Sequence, residues 1–431
     1  MMSHTGVPKK DLPLLPIRQV AQEKLEKFPY YNMEISAQFH NIVWCFMIPR
    51  DLTSRILAST PPKAVIIYGP RQAGKTTLIK NLPDLGVVNF LNGDRPRDVN
   101  RLQGLQSAGD IEIMLSSSDT IIIDEAQNVP NIGRIVKMLV DANQKTKIFL
   151  TGSSALELAQ GVRESAVGRI VNRNLWPLSL HELAAEYGWG YVQTNLDRFL
   201  VYGTYPATVT NPDSAIEQLI DLSGDLLFRD VLALQEVRSP SSLKHLVELL
   251  AYRIGQEISY ESLGRELKMH SQTVERYIDI LEKCFIIKRC NSFAKNLDNE
   301  IKKGKKIYFC DVGLRNAIID DFSPFGTRED AGHLWENFFF MERLKKHDLE
   351  RTFVRQYFWR IRGKKIRQST GQESEYSREI DLVEVRDQNM QAFECKLNPR
   401  QKDNGGTEFR SAYPNCPIRV VTPETLDPAL F

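Results

Sequence analysis

Residues 64–81 have the sequence AVIIYGPRQAGKTTLIKN. The apolar run at their start predicts a buried strand, and the segment after the second glycine predicts a helix. The spacing from Gly69 to Thr76 fits G-x-x-x-x-G-K-[ST] at every required position. Glycines let successive backbone N–H groups turn toward one anion, and the start of the helix adds its positive end. This stretch therefore predicts a phosphate-binding loop between a strand and a helix.

Each residue type in the loop suits a nucleotide. Lys75 is expected to reach the terminal phosphates, and the Thr76 hydroxyl is expected to hold Mg²⁺. The flanking strand and helix distinguish this match from a chance occurrence of the same letters. We predict that the nucleotide lies against Gly69, Pro70, Arg71, Gln72, Ala73, Gly74, Lys75, Thr76 and Thr77.

The bulk composition bounds the class of protein. A chain of 431 residues with 42% apolar residues is expected to form about three globular domains. The net charge of +2 provides no global argument for nucleic-acid binding. The six cysteines have no zinc-like spacing, which indicates reduced thiols and a cytoplasmic protein. No apolar run reaches the ~18–20 residues of a membrane span, so no membrane contact is expected.

Residues 1–46 differ from the rest of the chain, because they combine four prolines and mixed charges with no sustained hydrophobic period. From Met47 the pattern becomes regular, and residues 48–57 predict a short helix. Two interpretations stay open. Either Met47 is the native start and residues 1–46, an atypical extension, are not translated, or those residues form a flexible tail. Mass spectrometry of the native N-terminus separates the two.

Residues 47–180 alternate apolar runs with helical stretches, which predicts a parallel sheet with further strands at 87–91, 120–123 and 147–150. Asp124 and Glu125 follow one of these strands directly. An acidic pair at this position suits Asp124 supporting Mg²⁺ and Glu125 polarising the water that attacks the γ-phosphate. The alternative is that the pair only caps a helix starting near Asn128.

Three more polar residues belong to the same region. Ser153 follows the strand at 147–150, where it is either a sensor of the γ-phosphate or part of a plain serine–glycine turn. Arg163 and Arg169 are candidates for an arginine finger, acting within the subunit or on a neighbouring subunit of a homo-oligomer. The alternative is that both are ordinary surface arginines.

The motifs of this region resemble a known group. GPRQAGKTTL, IIIDEAQ, LTGSS and ESAVGR followed by LWPLSLHEL are similar to motifs of the little-characterised AAA-type P-loop ATPases of archaea and bacteria. Those proteins carry a C-terminal domain of unknown function, and the resemblance covers the chain from about Ile48 onward. It implies that the nucleotide is ATP and that it is hydrolysed. The candidate catalytic residues, taken from the motifs themselves, are Lys75, Glu125 and Arg169. The resemblance implies no settled substrate.

Residues 181–320 predict a different architecture. Helices are predicted at 181–187, 196–202 and 215–237, and residues 242–319 then predict three helices and a hairpin. The third of these helices is expected to be capped by Ser271, and the hairpin strands are expected at 285–290 and 306–309. This order is typical of a winged helix-turn-helix.

The partner of this winged helix stays open. A DNA-binding version would present one face of its third helix outward, namely Gln272, Thr273, Glu275, Arg276 and Asp279. Two of these five residues are acidic, which DNA phosphates would resist. Contact with a protein partner is the alternative. The basic run 302–306 is likewise either a solvated hairpin loop or a phosphate clamp.

The last module, residues 325–431, carries the second chemical signal. A helix is predicted at 334–344, strands at 353–361, 378–385 and 390–397, and a polar loop at 363–377. If Val385 pairs with Met390, then Asp381 lies opposite Glu394, and Lys396 points to the same face. Two facing carboxylates are destabilising unless a positive charge lies between them. A divalent metal is the natural candidate, with Lys396 activating a water.

This arrangement resembles the restriction-endonuclease-like nucleases and is similar to Holliday-junction resolvases. The resemblance implies that Glu336, Asp381 and Glu394 bind the metal and that Lys396 is the catalytic lysine. Residues 343–367 hold ten Lys or Arg against two acids, and such a basic surface suits a phosphodiester substrate. The alternative is a nuclease-like fold that serves only for binding or dimerisation.

The predicted fold class is α/β. A P-loop sheet of AAA type is followed by a helical and winged-helix module and an α+β, restriction-endonuclease-like domain. Two functions remain open. The first is an ATPase coupled to a nuclease-like module that contacts DNA. The second is an ATP-dependent switch or scaffold for protein partners, in which the nuclease-like fold is catalytically inactive.

Overall fold

Strand β1 (Ala64–Tyr68) lies inside a sheet of five parallel strands, as the sequence predicts. The computed structural model describes residues 48–142, 145–152, 168–226, 231, 237, 239–294, 304–366, 373–401 and 405–431. The predictions for residues 1–46, Ser153 and Arg163 lie outside these ranges.

The order of the strands in this first sheet is β2-β3-β4-β1-β5. The other four strands are β2 (Val88–Asn92), β3 (Thr120–Asp124), β4 (Lys147–Gly152) and β5 (Ile170–Asn174). The three strands predicted after β1 are thus confirmed. The sequence does not predict β5, because this edge strand is only partly buried and just its first two residues are apolar.

Helices pack on both faces of the first sheet, which explains why β1 is apolar throughout. Val65 and Ile67 share a buried cluster with residues of α1 and α2, whereas Ala64 and Ile66 belong to the cluster on the opposite face. The helices of this part are α1 (Leu52–Leu57), α2 (Lys75–Lys80), α3 (Pro96–Gln103), α4 (Ala108–Ser116) and α5 (Ile132–Ala142).

A helical part follows the first sheet. Its helices are α6 (Leu180–Tyr187), α7 (Trp189–Thr194), α8 (Leu196–Tyr202), α9 (Pro206–Thr210), α10 (Ala215–Gly224), α11 (Pro240–Tyr252), α12 (Tyr260–Leu267) and α13 (Ser271–Lys283). The predicted inner face of α13 is confirmed, because Val274, Ile278 and Leu281 are buried. The predicted cap is wrong: Ser271 is already helical, since the extended backbone ends at His270, whose side chain makes no capping bond.

A second, mixed sheet of seven strands has the order β12-β11-β10-β9-β7-β8-β6. Its strands are β6 (Glu257–Ile258), β7 (Ile287–Ser292), β8 (Lys305–Phe309), β9 (Arg355–Ile366), β10 (Glu373–Arg386), β11 (Asn389–Cys395) and β12 (Ile418–Val421). The remaining helices are α14 (Val312–Ile318), α15 (Ala331–Glu350) and α16 (Gly406–Ala412). Because β7 pairs with β9, the hairpin of the helical part and the four C-terminal strands form one sheet.

The hairpins of the second sheet test two predictions. Val385 pairs with Met390, so the predicted register of β10 and β11 is confirmed. The prediction of a polar loop at 363–377 is wrong, because β9 and β10 continue as a paired ribbon out to Ile366 and Glu373. Antiparallel pairing satisfies the backbone whatever the side chains are, so a polar composition is compatible with strands there.

Helix α15 connects the two sheets. At 20 residues it is about 30 Å long. Near its start, Trp335 and Phe339 are buried in the core that covers the second sheet. Near its end, Asp348 accepts hydrogen bonds from Trp176 and Asn174 beside the first sheet, at 2.7 and 3.0 Å. None of the described helices is long and apolar enough to span a lipid bilayer.

Candidate functional site

The predicted phosphate loop lies between β1 and α2, at the carboxyl edge of the first sheet. Gly69 leaves no room for a side chain, because a Cβ there would lie 2.2 Å from the Leu175 carbonyl oxygen. Gly74 has φ +92°, a left-handed conformation that favours glycine. Both glycines of the motif are therefore required by the backbone itself. The residues between them form the turn, and Thr77 is exposed on the first turn of α2.

The side chain of Lys75 is held inside this loop. Lys75 is 6% exposed, and its Nζ donates to the carbonyl oxygens of Gly69 and Pro70, both at 2.8 Å. These two hydrogen bonds hold the ammonium within the turn of the loop. This is the placement that a phosphate-binding lysine requires.

Thr76 and Asp124 meet at the end of β3. Thr76 Oγ1 donates to the two carboxylate oxygens of Asp124, at 3.0 and 3.1 Å. Thr151, which the sequence does not single out, donates to Asp124 Oδ1 at 2.5 Å and accepts the Glu125 N–H at 3.0 Å. A hydroxyl and a carboxylate in contact beside a phosphate loop provide the oxygen ligands that Mg²⁺ prefers.

Glu125 lies next to this pair in a strained conformation. Its φ of +48° is left-handed, which is costly for a residue with a side chain. The carboxylate is oriented by Gln127, whose Nε2 donates to Glu125 Oε2 at 2.6 Å. Glu125 precedes the short turn Ala126–Asn128, but its side chain makes no capping bond. The alternative that the acidic pair only caps a helix is therefore not supported for Glu125.

Arg50 is a residue of this site that the sequence does not reveal. Its guanidinium donates to the carbonyl oxygens of Ala73 in the phosphate loop and Trp176 after β5, at 2.8 and 2.6 Å. It also forms an ion pair with Glu182 at 2.9 Å. All of these contacts are long-range in sequence, and no motif surrounds Arg50, so no local signal could have found it.

Arg50 also connects the phosphate loop to α15. The Trp176 backbone accepts from Arg50, and the Trp176 indole donates to Asp348 of α15. Lys345, one turn earlier on α15, donates to the Leu178 carbonyl oxygen at 2.9 Å. The segment after β5 therefore lies between the loop and the helix and is bonded to both.

Arg169 lies away from this site. It immediately precedes β5, and its carbonyl oxygen accepts the N–H of Ala64 at the amino end of β1. Its side chain forms an ion pair with Asp141 at the end of α5. The phosphate loop is at the carboxyl end of β1, on the opposite edge of the sheet. The structure thus does not bring Arg169 to the nucleotide site of its own subunit.

A second site lies on the seven-stranded sheet, in a cavity of about 400 Å³. Glu336 projects from α15, and Glu379 and Asp381 project from β10. One carboxylate oxygen from each of these three acids lies within 4.8 Å of the others. Glu336 and Asp381 were predicted to meet. Glu379 was not singled out, although it lies in the predicted strand 378–385, two residues before Asp381, where side-chain alternation places it on the same face. We call Glu336, Glu379, Asp381 and the residues around them the acidic pocket.

Glu394 and Lys396, which the sequence predicts as metal ligand and catalytic lysine, also line this cavity. Lys396 Nζ contacts Glu394 Oε2 at 2.6 Å, and Asp381 Oδ2 accepts the backbone N–H of Cys395 at 2.8 Å. The ladder between β10 and β11 ends one pair before Asp381 and Glu394, in the predicted register. Burial raises the pKa of Asp381 well above its usual value, and the charge of Glu336 raises it further.

A lysine lies between the acids of the pocket. Lys306 of β8 is 1% exposed, and its Nζ contacts Glu336 Oε1 at 2.6 Å and also Glu379. Burial works to lower the pKa of Lys306, but the charges of the surrounding acids raise it above its usual value. Burial likewise works against the ionised form of Glu336, yet the Lys306 charge lowers the pKa of Glu336 to about 2. The protein therefore supplies a positive charge to Glu336 and Glu379 through Lys306, and to Glu394 through Lys396.

The carboxylate oxygens are of the kind that Mg²⁺ and Mn²⁺ bind, but their arrangement does not fit a divalent ion. Lys306 occupies the position between Glu336 and Glu379, and Arg360 Nε donates to Glu379 Oε2 at 2.6 Å. A metal would have to displace the ammonium from its buried contacts. The prediction of a metal as the compensating charge thus disagrees with the contacts that the pocket makes.

The basic surface predicted over residues 343–367 is not formed by several of its members. Arg343 and Lys345 are buried, where they pair with Glu384 and Glu342. Arg360 pairs with acids of the second sheet. An ion pair inside the protein offers no charge to a phosphodiester, so the count of basic residues overestimated the exposed charge.

The pair of Arg343 and Glu384 makes a testable contribution to stability. Burial works to raise the pKa of Glu384, but hydrogen bonds from His347 and Arg343 lower it to about 2. Relative to the ordinary value of 4.5, this corresponds to about 3 kcal/mol of stability, present above pH 4.5 and lost as the pH falls through about 2. Replacing Glu384 with glutamine is expected to cost this amount at pH 7, with the deficit shrinking toward pH 2.

Urea unfolding over this pH range measures the effect. Glu375→Gln, on an exposed position of the same strand, is the matched control and should change little. A Glu384→Gln deficit that stays constant down to the lowest pH would show that the carboxylate charge is not its source.

Comparisons with known proteins agree with the first sheet. A family model described as an AAA domain matches residues 61–184. Two models described as domains of unknown function match residues 193–324 and 331–427. An uncharacterised protein of Mycobacterium tuberculosis is 29% identical over 316 residues, which cover 71% of this chain and 68% of that protein. An uncharacterised protein of Methanocaldococcus jannaschii is 23% identical over 366 residues, covering 79% and 78%.

Among solved structures, a Walker-type ATPase of Pyrococcus abyssi is similar to 63% of this chain over 96% of its own, with 14% identity and a TM-score of 0.43. The AAA-domain match includes the phosphate loop, Thr76, Asp124 and Glu125, and such domains imply nucleotide binding, typically with Mg²⁺. The chain therefore contains an AAA-type P-loop domain at residues 61–184, followed by two segments that match domains of unknown function.

Proposed function

We propose that the chain hydrolyses ATP and uses the reaction to switch the conformation of its C-terminal half. The observation that carries this proposal is the contact of Thr76 with Asp124 beside a loop that holds Lys75. Mg²⁺ bound with ATP would offset the charge of the phosphates, and Thr76 and Asp124 are the residues that would hold it. Because ATP is an intracellular nucleotide, a cytoplasmic location is part of the proposal.

Lys75, Glu125 and Gln127 have different roles in the proposed hydrolysis. The ammonium of Lys75 stabilises charge on the terminal phosphate as its bond to the leaving oxygen breaks. The Glu125 carboxylate accepts a proton from the attacking water, so that the oxygen of the water forms the new bond to phosphorus. Gln127 orients that carboxylate through its hydrogen bond. The strained backbone of Glu125 supports a functional role.

Helix α15 supports coupling between hydrolysis and the C-terminal half. A displacement of the phosphate loop would reach Asp348 through Arg50 and Trp176, and Glu336 of the acidic pocket lies on the same rigid helix. In a homo-oligomer, Arg169 is a candidate finger for a neighbouring subunit, because it lies far from its own loop. A protein partner is the favoured recipient of the switch, since basic residues of the 343–367 stretch are paired internally.

A second candidate function is metal-dependent cleavage of DNA by a restriction-endonuclease-like module. It is favoured by the proximity of Glu336 and Asp381 and by the contact of Glu394 with Lys396. The three-helix and hairpin segment, if it is a winged helix, would then contact the DNA. The buried Lys306 between the acids opposes this candidate.

The two candidates predict different responses to DNA. For a switch with a protein partner, phosphate release by the intact chain with Mg²⁺ and ATP should be unchanged by single-stranded, double-stranded or branched DNA. A DNA-coupled enzyme should instead be stimulated by one of them, with a stimulation that falls steeply as salt rises. Cleavage of any of these DNAs that Asp381→Asn abolishes would move the proposal to the nuclease.

A further inference from the structure

We infer that Lys306, which lies between Glu336 and Glu379, is the resident cation of the pocket in which the sequence pattern predicts a divalent metal bound by Glu336, Asp381 and Glu394. The ion pairs of the pocket then hold the hairpin of the helical part, through β8, against α15 and β10. The inference concerns the second sheet alone and does not depend on ATP hydrolysis.

The contacts of Lys306 are those of a permanent partner. Its side chain is 1% exposed, so its ammonium depends on the protein for hydrogen bonds and for charge balance. It contacts Glu336 and Glu379, and its Nζ lies 5.5 Å from the centre of the Phe358 ring. Tyr308, two residues along the same face of β8, donates to the Glu336 oxygen that Lys306 contacts, at 2.6 Å. One strand thus supplies two donors to one carboxylate.

The backbone of Lys306 is fixed on both sides. In the second sheet, β8 lies between β7 and β6, and Lys306 pairs with Cys290 on one side and Glu257 on the other. Moving the lysine away with its strand would break ladder bonds to two neighbours. The ammonium is therefore directed into the pocket by regular structure and not by a loop.

Two further cations of the pocket, Arg360 and Lys396, also pair with its acids. Arg360 of β9 pairs with Glu379 and also with Glu257 of β6 at 2.6 Å. Lys396 pairs with Glu394. Each of these acids has a protein cation in contact.

An ammonium and a divalent ion compete for the same oxygens. Lys306 Nζ is 2.6 Å from Glu336 Oε1, whereas Mg²⁺ binds oxygen at about 2.0–2.1 Å and Mn²⁺ prefers similar oxygen ligands. Both cations cannot contact that oxygen while lying between the same acids. A motif search restricted to the C-terminal module would find Asp381, Glu394 and Lys396 and miss Lys306, which lies before residue 331 in the chain.

Binding of Mn²⁺ to the intact, nucleotide-free chain tests the inference, with free Mn²⁺ measured by electron paramagnetic resonance. The Asp381→Asn variant should bind as much Mn²⁺ as the wild type does. Lys306→Met should bind one additional Mn²⁺. Its affinity for Mn²⁺ in this pocket should be at least about tenfold higher than that of the wild type, because a like charge a few ångströms away is removed. That gain should disappear in Lys306→Met combined with Asp381→Asn.

Lys305→Met is the matched control, because the neighbouring Lys305 lies over the Tyr260 ring and not in the pocket. It should behave as the wild type does. A wild-type chain that binds one Mn²⁺ and loses it in Asp381→Asn would overturn the inference, as would a folded Lys306→Met variant that gains none. If Lys306→Met fails to fold, the comparison of wild type with Asp381→Asn decides alone.

Discussion

Replacing Glu125 with glutamine is expected to slow ATP hydrolysis by about 10²–10⁴-fold and to leave ATP binding intact. Glutamine keeps the size of the side chain but cannot accept the proton of the attacking water. Thr76, Asp124 and Lys75, which are assigned to Mg²⁺ and the phosphates, keep their contacts in this variant. Phosphate release measures the first effect, and titration with a fluorescent ATP analogue measures the second.

The matched control for Glu125→Gln is Glu112→Gln, which makes the same change on an exposed position of α4. It should hydrolyse ATP as the wild type does. If Glu125→Gln hydrolysed ATP at the wild-type rate, Glu125 would not be the base. If it lost ATP binding together with hydrolysis, its effect would be on the shape of the site and not on the chemistry.

Replacing Arg50 with alanine should lower kcat/KM for ATP by up to about 10²-fold. The guanidinium fixes Ala73 of the phosphate loop against Trp176 and Glu182, and displacements of about 1 Å in a catalytic site can cost this much. Lysine at this position keeps the positive charge but lacks the several N–H donors of the planar guanidinium. Arg50→Lys should therefore have a kcat/KM between those of Arg50→Ala and the wild type.

Steady-state kinetics and ATP titration measure this loss. The control is Arg55→Ala, an exposed arginine on α1 that makes no contact with the loop among the described residues. Thermal unfolding should accompany the kinetics, since breaking a buried pair can destabilise a protein by about 3–5 kcal/mol. A folded Arg50→Ala variant with unchanged kcat/KM would show that the loop holds its shape without this arginine.

Local patterns predicted the parts of this protein that short segments determine. The phosphate loop follows from eight consecutive residues, Gly69–Thr76, among which the two glycines, Lys75 and Thr76 are required by backbone or ligand chemistry. The pairing of Val385 with Met390 follows once a turn over residues 386–389 is assumed, and side-chain alternation with a period of two then places Asp381 opposite Glu394. Strands buried on both faces, such as β1 and β3, are predicted by their continuous apolar runs.

Contacts between distant segments could not be predicted in this way. Arg50 reaches Glu182, and Lys306 reaches Glu336 and Glu379, each across an interval with no spacing rule. The same limit explains the misjudged charge of residues 343–367: a basic residue counts toward a surface only if no distant acid, such as Glu384, pairs with it inside. Edge strand β5 is missed for a different reason, since it lacks the apolar run on which strand prediction depends.

The position of α15 gives the two sites a common element. Its end is bonded to the segment that holds Arg50, and its beginning contributes Glu336 to the acidic pocket. A rigid helix of about 30 Å transmits displacement along its length, whatever partner the C-terminal half contacts. Hydrolysis of ATP at the first sheet and the response of the second sheet to the resulting movement can therefore be measured separately.

The central claim is that Lys75 and its loop make this chain an ATP hydrolase. Its most direct test is phosphate release from ATP by the purified wild-type chain and by Lys75→Ala, measured with Mg²⁺ and repeated with the exposed Lys80→Ala on the same helix. We predict that the wild type and Lys80→Ala release phosphate and that Lys75→Ala falls to the rate of ATP in buffer. Equal rates from the wild type and Lys75→Ala would contradict the account.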